Sequence, residues 1–251
     1  MNVLNRNINN IFFIFALSHL IIWTLIPSIT NKNLPLDTIE ALAWGSNLDW
    51  GFNKHPPMSA FFSEVFFKIF GPYDWAYYFL SQVFVLIAFF YVFKFAKEIL
   101  GNIKLSLISI FLLESIYFYN FTTPEFNVNV SQLPFWAMTV YFFWKSLQTN
   151  RKTFWFLFGI NSALGFLSKY LFVYILASLF LYLIFNLKKY KNQIKNYFFS
   201  VIISILILTP HFIWLYENNF STITYGLRRS SLGNTEFIGH LINPIIFIFK
   251  C

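Results

Sequence analysis

The chain of 251 residues is poor in charge and has almost no cysteine. Charged residues make up 11% of the sequence, against about a quarter in typical soluble domains, so a soluble globular protein is excluded. Cys251 is the single cysteine, which excludes an internal disulfide framework and a cysteine-based metal site. The sequence also has no low-complexity linker, no convincing internal repeat and no recognisable soluble domain.

Long apolar runs take the place of these features. Hydrophobic residues make up 57% of the chain and its mean hydropathy is +0.59, values typical of a polytopic membrane protein. A helix that spans a membrane needs roughly 20 apolar residues. We therefore predict an all-α fold in which residues 1–251 form a single membrane domain. The predicted spans lie near 11–29, 75–95, 105–121, 130–147, 153–168, 170–187 and 197–216, with the start of another at 237.

The basic residues predict the orientation of these spans. A net charge of +8 would suggest nucleic acid binding in a soluble protein, but here the cations fall in alternate loops, so we expect no nucleic acid partner. The first apolar run follows Arg6 and is not followed by a small-residue cleavage site, so we interpret it as an uncleaved helix with a cytoplasmic N-terminus. The predicted cytoplasmic loops hold Lys94, Lys97, Lys104, Lys145, Arg151, Lys152, Lys188, Lys189, Lys191 and Lys195.

The opposite face should hold nearly all the acids, which are Asp37, Glu40, Asp49, Glu64, Asp74, Glu125, Glu217 and Glu236. Its longest loop, residues 30–73, is predicted to form two short amphipathic helices at the membrane interface. Asp37 and Glu40 have the spacing of a capping box, which predicts that a helix starts at Asp37. Pro56-Pro57 predicts the start of the second helix, on which Glu64 and Lys68 are spaced to pair.

This outer loop is also the first candidate site. Asp37, Glu40, Lys54 and His55 supply carboxylates, a cation and an imidazole at a membrane surface, as a general base and a phosphate clamp require. Helix capping is the simpler explanation of Asp37 and Glu40. His55 is more simply explained as an interfacial histidine than as a metal ligand. A divalent metal held by Asp37, Glu40 and His55 is the one cofactor that we consider, and the spacing does not establish it.

Further polar residues have two explanations each. Glu125 is either a solvated turn residue or a second acid on the face of Asp37. Glu114 lies in an apolar run, so it should be protonated, paired or turned to a cavity, most simply as a structural residue.

Three predicted outer-face cations, Lys169, Arg228 and Arg229, reach headgroups by snorkelling or bind a lipid phosphate. We predict that Lys169 lies in a tight turn, Ser168-Lys169-Tyr170, between two helices. His211, after Pro210, is interpreted as structural.

Several of these segments occur together in a known family. The run from Asp37 to Trp44, followed by Asp49-Trp50-Gly51-Phe52-Asn53-Lys54-His55-Pro56-Pro57, resembles the first-loop signature of bacterial family 39-like glycosyltransferases. These are membrane enzymes of the GT-C fold, related to protein O-mannosyltransferases and the lipid A aminoarabinose transferase. Further matching stretches follow in the same order, at Thr123-Pro124-Glu125-Phe126-Asn127, Gly165-Phe166-Leu167-Ser168-Lys169-Tyr170, and from Pro210-His211-Phe212-Ile213-Trp214 to Arg228.

The resemblance implies an inverting sugar transfer on the outer face of a bacterial cytoplasmic membrane. The donor would be a polyprenyl-phosphate-linked sugar and the acceptor a glycolipid or a protein. Membrane lipids would be further partners. Asp37 matches the catalytic first-loop acid and Glu125 the second-loop acid. Residues implied in substrate binding are Glu40, Lys54, His55, Lys169, Tyr170 and Arg228. Where many relatives carry an acid directly after the first aspartate, this chain has Thr38.

Two alternatives stand beside this expectation. Glu114 and the outer-face cations would suit a membrane transporter or a lipid flippase. Relatives in the family usually continue for several more helices, so the resemblance also predicts a C-terminally truncated chain, and an inactive fragment of a glycosyltransferase is the second alternative.

Overall fold

The computed structural model describes residues 3–229 and the positions 242 and 246, with side chains described from residue 8. The described chain is helical and without strands, which confirms the predicted all-α class. The predicted run from 237 and Glu236 lie outside the described residues. The helices between residues 3 and 229 are α1 (Val3–Thr30), α2 (Leu36–Gly45), α3 (Met58–Phe70), α4 (Asp74–Leu100), α5 (Ile103–Glu114), α6 (Val128–Thr149), α7 (Lys152–Ser168), α8 (Val173–Phe185), α9 (Leu187–Tyr190), α10 (Ile194–Glu217) and α11 (Ser221–Arg229).

The long helices form a bundle in which neighbours pack in a row. Helix α1 packs against α4, α4 against α6, α6 against α7, and α7 against α10. Phe89 and Phe126 lie in one buried aromatic cluster and Trp155 in a second. Because α7 and α10 approach closely at Gly159, a Cβ atom there would lie 2.6 Å from the Ser200 carbonyl oxygen.

Within the described part of the chain, three helical stretches are long and apolar enough to cross a membrane, namely Ile8–Thr30, Asp74–Leu100 and Leu187–Glu217. Their outward faces are apolar, as lipid contact requires. Ile14 on α1 and Leu206 on α10, for example, are 66% and 63% exposed. These helices confirm that the chain is a polytopic membrane protein.

The apolar run at 105–121 does not form one continuous helix. Helix α5 ends at Glu114 after 12 residues, which span about 18 Å, and the chain then forms a short 3-10 turn at Tyr117–Tyr119. The Asn120 side-chain amide donates a hydrogen bond to the Glu114 carbonyl at 2.5 Å and so occupies an acceptor at the end of the helix. The Glu114 carboxylate turns toward α1. Hydropathy alone does not reveal either contact.

The two predicted outer-loop helices exist as α2 and α3, but the predicted capping box is wrong. Helix α2 begins at Leu36, with Pro35 at the N-cap and without a side-chain cap hydrogen bond. Asp37 therefore lies in the first turn of α2, and the Glu40 carboxylate binds Lys54 instead of reaching back to the helix start. The side chains of both acids are thus available to the surface that α2 presents.

Helix α3 follows the two prolines as predicted. It starts at Met58, directly after Pro57, and the Glu64 carboxylate pairs with the Lys68 ammonium at 3.4 Å. Helices α2 and α3 pack closely where Gly45 faces Ala60, since a Cβ atom on Gly45 would lie 2.8 Å from the Ala60 carbonyl oxygen. The two helices form a compact unit on the end of the bundle.

Candidate active site

Four separate segments meet at one end of the bundle. The α2–α3 segment contacts the loop before α6, where the Asp37 backbone N–H donates to Glu125 Oε1 at 3.2 Å. The neighbouring Thr38 hydroxyl donates to the Phe126 carbonyl, also at 3.2 Å. The turn after α7 reaches the start of α6 through Lys169 and Asn129, and α10 reaches the loop of Trp50 through His211. The predicted outer loops therefore lie together at the same end.

A small polar pocket lies between α2, α3 and α6. Its α2 wall consists of Asp37, Glu40 and Trp44, which the i, i+3, i+7 spacing places on one face of the helix. The rest of the lining comes from His55, Ser59, Asn127 and Val128. The Trp44 ring stacks on Phe52 with a centroid distance of 5.3 Å. The pocket thus combines two carboxylates, an imidazole and an amide with one aromatic wall.

The loop that carries Glu125 is anchored at both ends. Before it, the buried Thr123 accepts a hydrogen bond from Ser81 on α4 through its carbonyl. After it, the Asn127 side chain caps α6 by accepting from the backbone N–H groups of Asn129 and Val130 at 2.9 and 3.2 Å. The Asn127 amide also reaches Glu125 Oε2 at 3.5 Å. These anchors hold the Glu125 carboxylate against the start of α2.

Glu40 and Lys54 form an ion pair at the rim of this pocket. Both side chains are partly exposed, at 27% and 36%. The hydrogen bond to Glu40 is the main cause that raises the pKa of Lys54 above its ordinary value. Lys54 therefore stays a cation, with its charge largely balanced by Glu40.

His55 lies half-buried between the acids and the cations of the site. Burial is the main cause that lowers the pKa of His55 below its ordinary value, and the charge of Lys169 lowers it further. The charge of Asp37 acts in the opposite direction and does not compensate. The imidazole is therefore neutral at neutral pH, when it can donate one hydrogen bond and accept another.

Lys169 is the half-buried cation of the site. The chain leaves α7 at Ser168 and Lys169 is extended, which confirms the predicted turn between two helices. The Lys169 ammonium donates to the Asn129 side-chain oxygen at the start of α6. Burial, and then the charge of Arg229, lower the pKa of Lys169. An ammonium held by a neutral amide retains its full charge toward an incoming anion.

Helix α11 brings two further groups near the cations. Tyr225 lies near Lys54, and the Arg229 guanidinium donates to the Tyr225 hydroxyl at 3.4 Å. Arg228, the position that the resemblance indicated, is an exposed residue of the same helix. Arg229 is thus the arginine whose charge acts on Lys169.

Tyr170 and His211 form a buried link behind the site. The Tyr170 hydroxyl lies 2.8 Å from His211 Nε2, and His211 Nδ1 lies 2.6 Å from the Trp50 carbonyl oxygen. His211 is completely buried. The resemblance implied that Tyr170 binds substrate. In the structure Tyr170 contacts an internal histidine of α10.

Close packing against α10 explains why a glycine, Gly51, follows Trp50. The Trp214 ring of α10 lies so close that a Cβ atom on Gly51 would be 2.3 Å from it. One residue further along, the Phe52 carbonyl accepts a hydrogen bond from Thr222 of α11 at 2.6 Å. The loop before His55 is thus held by the two C-terminal helices that the structure describes.

Glu114 lies away from this site and is paired, as its place in an apolar run predicts. Its carboxylate Oε2 is 3.0 Å from Nδ1 of the buried His19 on α1. The other ring nitrogen of His19 lies 2.9 Å from the Gln82 side-chain oxygen on α4. This cluster links three helices within the bundle.

Residues that the sequence did not single out complete the site. Asn127 and Asn129 hold Glu125 and Lys169, while Trp44 and Ser59 line the pocket. Asn127 carried a detectable signal, since an asparagine directly before an apolar run is a typical N-cap. Among the described residues, no group of three or more His, Cys, Asp or Glu side chains is placed to hold a metal ion.

The fold and the site define a multi-helix membrane protein with acids and cations gathered at one end of its bundle. The family described as "Dolichyl-phosphate-mannose-protein mannosyltransferase" matches residues 54–214, well over half of the chain. The chain belongs to this family and is a membrane glycosyltransferase, whose substrates are a lipid-linked sugar donor and an acceptor. We found no significant match to a curated protein or to a solved structure.

The family match confirms the glycosyltransferase resemblance at the level of the family. It includes Lys54, His55, Glu125, Lys169 and Tyr170. Asp37, Glu40 and Arg228 lie outside the matched range.

Proposed function

We propose that this protein transfers a sugar from a polyprenyl-phosphate donor to a glycolipid or protein acceptor, with inversion at the anomeric carbon. The reaction would take place on the outer face of a bacterial cytoplasmic membrane, at the end of the bundle where Asp37 meets Glu125. The contact between Asp37 and Glu125 carries the proposal, because it joins the two acidic loops beside the lysines.

Asp37 serves as the general base. The acceptor hydroxyl oxygen forms a bond to the anomeric carbon while the bond from that carbon to the phosphate oxygen breaks. The hydroxyl proton passes to the Asp37 carboxylate, and the lipid phosphate leaves with the bonding electron pair. A positioned base contributes about 10²- to 10⁴-fold to such a step. Asp37 is exposed in the pocket wall, so a substrate hydroxyl can reach it.

Glu125 holds the Asp37 segment in place and limits its movement. Its Oε1 accepts from the Asp37 N–H, while Asn127 supports Oε2. Without the bond to Glu125, the position of Asp37 would depend only on where α2 begins. The neutral His55 imidazole lines the same pocket and can hydrogen-bond a sugar hydroxyl.

Lys169 binds the donor phosphate. Its ammonium contacts the neutral Asn129 amide, and among the described residues it has no carboxylate within 4.0 Å. A half-buried cation in this situation gains stabilisation from an anion, because the anion favours the charged form that burial disfavours. Lys54 is less free for this role, since Glu40 already balances its charge.

An apolar groove lies along α6, and its first lining residue on that helix, Leu133, comes about one turn after Asn129. Leu133, Trp136, Ala137 and Val140 line the groove and follow Asn129 at helical spacing, so they lead away from Lys169 along one face. Ala88 and Val92 of α4 and Ile175 of α8 form other parts of its wall. The groove has an empty volume of about 610 Å³ when its open side is included. A prenyl tail bound here would leave its phosphate beside Lys169.

The test is transfer by the purified protein in liposomes, with a panel of polyprenyl-phosphate sugars and with glycolipid and protein acceptors. We expect transfer from at least one donor. Replacing Lys169 by methionine should raise the KM for that donor by about 10-fold or more, as expected for a lost charge-assisted phosphate contact. Lys169→Arg should retain part of the affinity. Lys104→Met is the matched control, since Lys104 is an exposed lysine at the start of α5.

Absence of transfer with every donor and acceptor would contradict the proposal. Movement of a labelled lipid across the same liposomes without sugar transfer would support a transporter or a flippase instead. Neither transfer nor movement, in a folded protein, would identify a non-catalytic chain.

A further inference from the structure

We infer that His211 is a positioning residue that fixes the loop of Lys54 and His55 relative to the turn of Lys169. This inference rests on the proposed function, because it assigns a role within the same site. His211 belongs to α10 and does not line the polar pocket, so it acts through its neighbours. Its two ring nitrogens contact two different segments of the site end.

The partners of His211 select one tautomer. A backbone carbonyl can only accept, so Nδ1, which lies 2.6 Å from the Trp50 oxygen, must carry the proton. In a neutral ring Nε2 is then an acceptor, and the Tyr170 hydroxyl at 2.8 Å donates to it. One neutral form therefore satisfies both contacts of a completely buried imidazole.

The carbonyl that His211 binds lies in the loop that carries Lys54 and His55. Trp50 precedes Gly51, which packs against Trp214, and the Phe52 carbonyl is held by Thr222. The Phe52 N–H in turn donates to the His55 carbonyl at 3.1 Å, which closes a turn around Asn53 and Lys54. His211 thus holds the base of the turn that presents Lys54 and His55.

The other partner of His211 directly follows Lys169, the lysine that binds the donor phosphate. Tyr170 is the residue after Lys169, and its ring packs against Phe166 of α7 as well as against His211. Because the imidazole is rigid, it sets the separation between the Trp50 carbonyl and the Tyr170 hydroxyl. Lys54 and Lys169 lie on the two segments that are joined in this way.

Conservative variants separate this role from simple packing. An asparagine amide nitrogen lies near the position of Nδ1, so His211→Asn keeps a donor for the Trp50 carbonyl. His211→Ala removes both bonds and leaves space in the bundle. Tyr170→Phe removes the hydroxyl, and with it both the bond to Nε2 and the contact with Thr222 of α11. Phe212→Leu is the matched control, since Phe212 is the next residue of α10 and is 44% exposed.

The first measurement is transfer kinetics per folded molecule, in the liposome assay above. His211→Ala should lower kcat/KM by about 100-fold, the loss that a displacement of about 1 Å can cause. His211→Asn should recover only the part of this loss that comes from the bond to Trp50, and its kcat/KM should match that of Tyr170→Phe, since both variants lack the bond at Nε2. Tyr170→Phe should lower kcat/KM in the wild type but add little in the His211→Ala background, since the two residues act as one link. Phe212→Leu should leave kcat/KM unchanged.

The second measurement is hydrogen exchange of residues 50–55 without any substrate. His211→Ala should speed exchange of this loop by about 10-fold or more, and Phe212→Leu should not. If His211→Ala keeps wild-type exchange and kcat/KM and lowers only the unfolding temperature, the residue is structural and the inference is overturned. If His211→Ala does not fold, the same comparison is made with His211→Asn and Tyr170→Phe.

The two measurements also separate the inference from the proposed function. A wild-type protein without transfer activity contradicts the proposed function alone, because the exchange experiment needs no substrate. Normal exchange in the variants contradicts the positioning role alone.

Discussion

The backbone N–H of Asp37 donates a hydrogen bond to Oε1 of Glu125 at 3.2 Å, although 88 residues separate the two in sequence. The first N–H groups of a helix have no acceptor within the helix, and here a side chain of another loop supplies one. The hydroxyl of Thr38 adds a second bond between the same segments. The two acidic loops of the chain are therefore one structural unit.

Glu125→Ala should destabilise the protein more than Glu125→Gln. The glutamine retains an oxygen that accepts from the Asp37 N–H, whereas alanine leaves that N–H to solvent. The expected difference is about 1 kcal/mol, the net value of one hydrogen bond. It is measured as the difference between the unfolding free energies of the two variants in detergent. Equal stabilities would show that the contact contributes nothing to folding.

Gly51→Ala should disturb the packing of the loop on α10. The added Cβ would lie 2.3 Å from the Trp214 ring, so one of the two must move. Overpacking of this kind costs about 1–3 kcal/mol. Gly226→Ala is the control, because a Cβ on that helical glycine meets nothing within 4 Å.

The same thermal unfolding assay compares the two glycine variants. Gly51→Ala should unfold at a lower temperature than the wild type. Gly226→Ala should be neutral or slightly more stable, as for glycine replaced by alanine in a helix. The reverse order would contradict the close approach of Trp214 to the loop.

His19→Leu should be strongly destabilising, because it leaves the Glu114 carboxylate without its partner inside the bundle. Breaking a buried pair costs about 3–5 kcal/mol, and the partial exposure of Glu114, at 24%, places this case at the low end. The double variant His19→Leu/Glu114→Leu should regain part of the loss, since neither polar group then remains. A double variant less stable than His19→Leu would show that the pair is not the cause.

Much of the fold could be predicted from local patterns. The long apolar runs indicate α1, α4 and α10, and Pro56-Pro57 indicates where α3 begins. Alternation of the spans predicts that the loops of Asp37, Glu125 and Lys169 meet at one end. These features depend on composition and on order along the chain, which the sequence displays directly.

Other features depend on contacts between distant residues and could not be predicted. Glu40 pairs with Lys54 instead of capping α2, because the N-cap of that helix is Pro35, two residues before Asp37. His211 reaches Trp50 across 161 positions of sequence. The charge of Arg229, and not that of Arg228, lowers the pKa of Lys169. The rotation of α11 about its axis decides which arginine lies nearer to the lysine. Such outcomes follow from packing, which no local motif encodes.

Stability should fall in acid partly because of His55. Its pKa in the folded protein lies below the ordinary value of 6.5, chiefly through burial, so the unfolded chain takes up a proton that the folded chain resists. The surrounding charges are those of Asp37 and Glu40, which favour protonation, and of Lys169 and Lys54, which oppose it. The contribution of His55 is thus complete above pH 6.5 and is lost as the pH falls through the folded-state pKa.

His55→Gln tests this dependence. Between about pH 7 and pH 5 the unfolding temperature of the wild type should decrease more steeply than that of the variant. Carboxylates titrate in both proteins, so the comparison isolates the histidine. Parallel curves would contradict a lowered pKa at His55.

The proposed catalytic role of Asp37 is the central claim, and transfer by Asp37→Asn in liposomes tests it most directly. Asparagine keeps the shape of the side chain and the α2 backbone contact to Glu125 but cannot accept the acceptor proton. The variant should insert and unfold as the wild type does, bind the lipid-phosphate sugar, and transfer it at least about 100-fold more slowly. Transfer at the wild-type rate by Asp37→Asn would contradict the account.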